Sequence, residues 1–396
     1  MASLLSQDGI FDHWMRLLPL PFALGFGSDE GEDDGVLTVI RDFGPNPGNL
    51  RLRAFLPMGL PAGAPLVVVL HGCKQSAGEY DRGSGWSRLA ERFGFALLMP
   101  EQKRLNNPHL CFDWFQTEDV TRDEGEVASI AAMIRHMITQ YRLDASQVFI
   151  TGLSAGGGMT AAMLATYPEL FAAGAIIAGV PYGSATNAHE AFGVMGQGRV
   201  RTPEELGERV RAASPHAGTR PAVSIWQGEE DRVVNPVNAL ELAKQWSDVL
   251  GLAGVRPEHD RVDSADRSTW RDASGRIALS LWRIAGLGHA TPIDPMAPLP
   301  EARIGLIGAS PFVLPAGISS TWRIAENWGL TARRPARPDG ARIATGAEGF
   351  WQHLLPGADR LQAAARDVAQ EVAGPETPLG RLLRSAGITP PGSKRD

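Results

Sequence analysis

The chain has 396 residues, 43% of them hydrophobic and 21% charged, with a formal net charge of −6. That size and apolar content suit one large α/β domain with extensions and exclude wholesale disorder. The acidic balance and the lack of a Lys/Arg block argue against nucleic acid or an anionic membrane surface as partner. No apolar run reaches membrane-span length. The two cysteines, Cys73 and Cys111, are too few for a disulfide framework or a zinc site.

The opening stretch, "MASLLSQDGIFDHWMRLLPLPFALGFG", has no basic leader, and Asp8, Asp12, His13 and Arg16 interrupt its apolar run. It reads as a short amphipathic helix ending at Pro19 and Pro21, not as a secretory signal. With the acidic linker "SDEGEDDG" it makes residues 1–36 an N-terminal extension. "VLTVIRDFG" and "NLRLRAFLP", joined by "PNPG", predict an edge hairpin. "APLVVVLHG" (64–72) is an unbroken β-branched run, as expected of a strand buried on both faces. A helix over 85–94, a strand over 95–102 and a Trp- and Asn-bearing loop over 104–122 follow. Next come a helix over 125–142, a strand over 146–152, a helix over 155–168 and a strand over 171–179. Farther on, 222–228 reads as a strand, 238–251 as a helix, 277–286 as a strand and 319–329 as a closing helix. This alternation predicts a doubly wound, mostly parallel sheet with helices on both faces, over residues 37–330. From 331 to 396 the linker-like "ARRPARPDGAR" leads into a C-terminal helical tail, with helical pieces around 348–372 and 377–386.

Gly152-Leu153-Ser154-Ala155-Gly156 is a G-x-S-x-G pentapeptide. In a chain with 45 glycines the pattern alone is weak. Its setting is stronger, because the strand pattern "QVFIT" precedes it and the helix pattern "GGMTAAMLATYP" follows. A serine on a sharp strand-to-helix bend projects its hydroxyl from the carboxyl edge of a sheet, and flanking glycines remove side chains that would collide there. The other reading is a Gly-rich turn with a capping serine.

A serine nucleophile needs a base oriented by a carboxylate, in the chain order Ser, Asp or Glu, His. After the strand "AVSIWQG" three acids compete: Glu229, Glu230 and Asp231. The short turn after Gly228 favours Asp231, with Glu230 as runner-up. Among the histidines after Ser154, only His289 follows a strand, in "LSLWRIAGLGHATP". His189 and His259 read as exposed loop residues, His216 precedes the acid, and His353 lies in the tail. The backbone N–H groups of Cys73 and Ala155 are the expected oxyanion hole. His71 reads as a turn residue that hydrogen-bonds the loop into shape. Trp114 and Phe115 either line a substrate pocket or are ordinary buried aromatics. The Pro-rich stretch 291–319 is a candidate for the other wall of the cleft.

"LVVVLHGCKQSAGEYDRGSGWSRLAERFGFALLMPEQ", "CFDWF", "GEVASIAAMI", "VFITGLSAGGGMTAAMLATYPELFAAGAIIAGVPYG" and "SIWQGEEDRVVNP" resemble the polyhydroxybutyrate depolymerase-like esterases. These are α/β-hydrolases similar to the feruloyl and acetylxylan esterases. The resemblance spans roughly 37–330 and implies a serine carboxylic-ester hydrolase with the triad Ser154, Asp231 and His289. It implies an ester substrate: a hydroxyalkanoate oligomer, or a short-chain or aryl ester. Two features depart from it, the missing export signal and the lack of a polymer-binding module after the catalytic domain. Competing readings are a serine peptidase and a non-catalytic protein bound to polymer granules. No metal or other cofactor is expected, and the chain offers no phosphate-binding loop. Cys73 and Cys111 follow neighbouring strands at one sheet edge and so can form a single disulfide. Two buried thiols are the alternative in a reducing compartment, and the oxidising, often extracellular setting of the resembled family favours the bridge.

Overall fold

The computed structural model describes residues 36–310 and 312–332. The expected N-terminal helix, the acidic linker and the helical pieces of the tail lie outside the described residues. The strands in chain order are β1 (Thr38–Ile40), β2 (Arg51–Phe55), β3 (Leu66–Leu70), β4 (Ala96–Glu101), β5 (Val148–Leu153), β6 (Ala173–Ile177), β7 (Ala222–Gly228), β8 (Glu258–Val262), β9 (Ala265–Arg271), β10 (Ile277–Ile284), β11 (Thr291–Ile293) and β12 (Val313–Pro315). The helices are α1 (Ala77–Ser84), α2 (Trp86–Phe93), α3 (Gly125–Tyr141), α4 (Ala155–Thr166), α5 (Ala188–Gln197), α6 (Pro203–Ala212), α7 (Val237–Val249) and α8 (Ser320–Asn327).

β1 to β10 form one sheet in the order β1-β2-β4-β3-β5-β6-β7-β10-β9-β8. The run from β4 through β3, β5, β6 and β7 to β10 is parallel. β1–β2 and β8–β9 extend it at either end by antiparallel pairing. Central strands have to be apolar on both faces, and the alternating residues divide cleanly. Val67, Val69, Leu97, Met99, Ile177, Trp226 and Trp282 face one core with Trp86 and Leu89 of α2 and Ile324 of α8. Leu66, Val68, Leu70, Leu98, Ile150, Ile176 and Ile225 face the other with Ile130 and Ile134 of α3, Met159 of α4 and Leu242 of α7. Helices therefore cover both faces. Every residue of α4 is buried, which explains its uninterrupted small and apolar sequence.

Several elements lie outside the strand–helix alternation read from the sequence, although α1 and α6 each open with a capping box. α1 is eight residues long, with Gly78 and Gly83 inside it. It is held at its start by a capping box, in which the Ser76 hydroxyl accepts the Glu79 N–H while the Glu79 carboxylate accepts the Ser76 N–H. α5 and α6 fill the excursion after β6. His259 lies on β8, not in a loop, and bonds Ser268 of β9 at 3.0 Å. β8 is almost wholly exposed, so no alternation marks it. Among the described residues no helix is long and apolar enough to cross a membrane.

Candidate active site

Because β3, β5, β7 and β10 run parallel, the loops that follow them leave from one edge of the sheet. Those loops hold Cys73, Ser154, Asp231 and His289 respectively. Of residues 148–168, Ser154 alone is not fully buried. Its backbone lies at φ 58°, ψ −116°, a conformation costly for a non-glycine residue. The bend is fixed on both sides: Ser154 N–H donates to Ile177 O, and Ser154 O accepts the Gly158 N–H, each at 2.9 Å. The flanking glycines are sterically required. A Cβ on Gly152 would stand 2.3 Å from Gly156 O, and one on Gly156 would stand 2.4 Å from Leu70 O.

Asp231 is buried and His289 half-buried. The His289 Nδ1 lies 2.8 Å from Asp231 Oδ2. Gln227 Nε2 donates to the same oxygen at 3.0 Å. The other oxygen accepts the Val233 and Val234 N–H groups at 2.8 and 2.9 Å. Glu229 and Glu230 are exposed, and Glu229 pairs with Arg283. The two loops are laced together by Glu229 N–H to Ile284 O and Glu230 N–H to Leu287 O, both 3.0 Å.

In the loop after β3, Lys74 N–H donates to His109 O at 2.7 Å and Gly72 N–H to Gln75 Oε1 at 2.8 Å. The N–H groups of Cys73 and Ala155 have no partner among the described residues. His71 is fully buried, and burial holds its pKa below the ordinary value. Its Nε2 accepts the Gln102 N–H at 3.1 Å. The proton therefore sits on Nδ1, which donates to Gly72 O at 2.8 Å. A peptide is planar and trans, so holding the Gly72 carbonyl fixes the direction of the Cys73 N–H on the same unit.

Cys73 and Cys111 are joined as a disulfide. Trp114 and Phe115 are buried, edge to face with centroids 5.4 Å apart. The Trp114 indole lies against Gly158 on the first turn of α4. Beneath this loop the carboxylates of Asp113, Asp119 and Glu126 lie within 4.8 Å of one another, a grouping that their spacing does not announce. Protein donors fill it. Asn107 bonds Asp113 at 2.7 Å, while Glu126 takes the Asp113 N–H at 3.0 Å and the Gln102 amide. Burial raises Asp113 to about 7 and Glu126 well above the usual carboxylate range. Gln227, Gln75 and Gln102 escape sequence reasoning, because a lone glutamine has no motif.

A family model for Esterase PHB depolymerase matches residues 52–275, more than half of the chain. The chain belongs to this family. As a member of the Esterase PHB depolymerase family it is 39% identical over 296 residues to poly(3-hydroxyalkanoate) depolymerase C of Paucimonas lemoignei, across 74% of this chain and 70% of that one. It is 35% identical over 267 residues to acetylxylan esterase A of Aspergillus oryzae, across 64% of this chain and 84% of the relative. Among solved structures, the acetyl xylan esterase from Aspergillus awamori superposes with a TM-score of 0.63 at 27% identity, over 75% of this chain and 100% of that one. The fold is that of the α/β-hydrolases, and the protein is a carboxylic-ester hydrolase.

Proposed function

We propose that the protein cleaves esters through an acyl-enzyme on Ser154, with His289 as base and Asp231 as its orienting carboxylate. The substrates we assign are poly(3-hydroxybutyrate) or other hydroxyalkanoate oligomers, or related short-chain or aryl esters. The observation that carries this reading is the 2.8 Å Asp231–His289 pair, on loops that leave the same sheet edge as the strained Ser154 bend. With a carboxylate on Nδ1, the imidazole keeps its proton there and offers the Nε2 lone pair to the Ser154 hydroxyl. As the Ser154 hydroxyl proton moves to Nε2, Oγ attacks the ester carbonyl and the carbonyl oxygen becomes negative. The Cys73 and Ala155 N–H groups are suited to receive that charge, and the N-terminus of α4 adds its positive dipole end. Collapse expels the alcohol, which takes the proton from Nε2. Water, deprotonated by the same nitrogen, then attacks the acyl carbonyl; the C–Oγ bond breaks, the acid leaves, and Nε2 returns the proton to Ser154 Oγ.

The depolymerase relative supports the hydroxyalkanoate assignment. A second reading, an acetylxylan- or feruloyl-type esterase, also has an observation behind it. The acetyl xylan esterase structure is matched along its whole length, the depolymerase over 70%. A fluorophosphonate probe is expected to label the parent protein and not Ser154→Ala. Rates on hydroxybutyrate trimer, p-nitrophenyl butyrate, methyl ferulate and acetylated xylan then rank the substrates. No labelling of the parent overturns the serine mechanism. Turnover of acetylated xylan with the hydroxybutyrate trimer untouched moves the assignment to the second reading.

A further inference from the structure

One side chain joins the loop after β3 to the segment between β11 and β12, which packs on His289. Gln75 is 1% exposed. Its Oε1 accepts the Gly72 N–H at 2.8 Å, and its Nε2 donates to the hydroxyl of Ser310, which is itself buried. Ser310 belongs to the segment between β11 and β12. Two residues on, the Phe312 N–H lies 3.4 Å from the Ser310 hydroxyl. The Phe312 ring stands edge-on to the His289 imidazole with centroids 6.0 Å apart, and its carbonyl accepts the Thr291 N–H at 2.8 Å. Thr291 is tied in turn to the hydroxyl of Tyr80 on α1 at 3.0 Å. One amide thus spans from the turn that presents Cys73 to the strap that packs on His289.

We propose that Gln75 is a positioning residue for ester hydrolysis. It acts as a bracket that holds the Gly72–Cys73 backbone in one geometry relative to the His289 strap. The inference rests on the reading of the Cys73 N–H as an oxyanion donor. Two neighbouring polar groups of that turn have other anchors: Gly72 O takes His71 Nδ1–H at 2.8 Å and the Gln75 backbone N–H at 3.4 Å, and Lys74 N–H reaches His109 O. The Gly72 N–H depends on Gln75 alone. If the bracket is removed, a buried N–H is left unpaired, and relieving that cost requires the turn to move. An oxyanion donor tolerates little movement, because a displacement of about 1 Å costs roughly 100-fold in rate.

The test is steady-state kinetics on p-nitrophenyl butyrate together with inhibition by an alkylboronic acid, whose tetrahedral Ser154 adduct places an oxygen where the oxyanion forms. Gln75→Met deletes both hydrogen bonds. It is expected to lower kcat about 10- to 100-fold with KM within about twofold, and to weaken the boronate by a similar factor. Gln75→Glu keeps an acceptor for Gly72, while the Ser310 hydroxyl can turn to donate, so it is expected to recover most of the lost kcat. Ser310→Ala leaves the Gly72 end intact while removing the hydroxyl that meets Gln75 and the Phe312 N–H, and it is expected to lower kcat and boronate affinity in the same direction by a smaller factor. With Gln75→Met its effect is expected to be non-additive. A purely structural glutamine would instead lower Tm with kcat and boronate affinity unchanged, and that result in either Gln75→Met or Ser310→Ala overturns the proposal. Should Gln75→Met fail to fold, Ser310→Ala decides alone. An active Ser154→Ala would sink the catalytic reading itself. An inactive Ser154→Ala with bracket variants of parental kcat sinks only this inference.

Discussion

At position 231 a single buried carboxylate takes four donors: Gln227, the Val233 and Val234 N–H groups, and His289. Asp231→Asn keeps the shape but places an amide where the carboxylate faced His289, which removes the preference for the Nδ1 tautomer. A loss of about 10⁴ in kcat is expected with the fold retained, and Ser154→Ala should be at least as damaging. Glu230→Gln alters an exposed side chain and is expected to leave kcat/KM within about twofold of the parent, the range of ordinary surface changes. Stopped assays on purified variants, with circular dichroism as the fold control, separate these outcomes. If Glu230→Gln is the crippling change and Asp231→Asn is silent, the orienting acid is misassigned. The pentapeptide also makes a steric prediction. Gly156→Ala would drive a Cβ to 2.4 Å from Leu70 O, so it is expected to give insoluble or inactive protein, whereas the same change at an open surface glycine would not. Sequence order and strand context single out Ser154 and His289 as candidates. The choice among Glu229, Glu230 and Asp231 rests on turn length, and Gln227 carries no signal because its contact with Asp231 exists only once the turn after β7 has folded back over the strand end.

At the scale of elements, legibility followed burial. β3, β4, β5 and β6 are buried throughout, so each reads as an apolar run. α1 and the β8–β9 hairpin are short, polar or exposed; α1 is held by its capping box and β9 by its pairing with β10, to which cross-strand pairs such as Arg267–Asp260 add little, and none of these leaves a periodic trace. The loop between β4 and α3 has no secondary structure to hold it. It is held by the Cys73–Cys111 disulfide, by Lys74 N–H to His109 O and by the Gln102–Glu126 contact. A link of 38 residues removes about 4 kcal/mol of unfolded-chain entropy by the loop-closure estimate. Reduction is therefore expected to lower Tm by several degrees. Because Cys73 lies in the proposed oxyanion turn, it should also lower kcat more than KM rises. Thiol titration before and after treatment with a phosphine reductant reports the bond state. Full retention of both Tm and kcat in protein shown to carry two free thiols would refute this role.

For the molecule as a whole, the doubly wound topology was legible because its parallel strands must be apolar on both faces, and the alternation of strand and helix leaves few ways to connect them. The strand order, and the carboxylate group under the aromatic loop, depend on long-range packing. That group gives the folded chain a pH dependence with a definite sign. Burial, more than the neighbouring Asp119 charge, raises Asp113 to about 7 against the pull of its Asn107 hydrogen bond, and Glu126 is raised by burial and by Asp113. An unfolded carboxyl titrates near about 4, so between about pH 4 and about pH 7 the folded chain holds protons that the unfolded chain has lost. Stability from Asp113 is full below the unfolded value and is lost as pH rises through about 7, and Glu126 acts in the same direction. Asp113→Asn keeps an acceptor for Asn107 and cannot ionise. Its Tm relative to the parent is expected to rise from about pH 4 to about pH 7 and to level off above, so that the variant's advantage is largest and constant on the alkaline side. Thermal melts of both proteins across that range decide the point, because a difference in Tm that stays constant with pH would mean that Asp113 does not titrate between the folded and unfolded values.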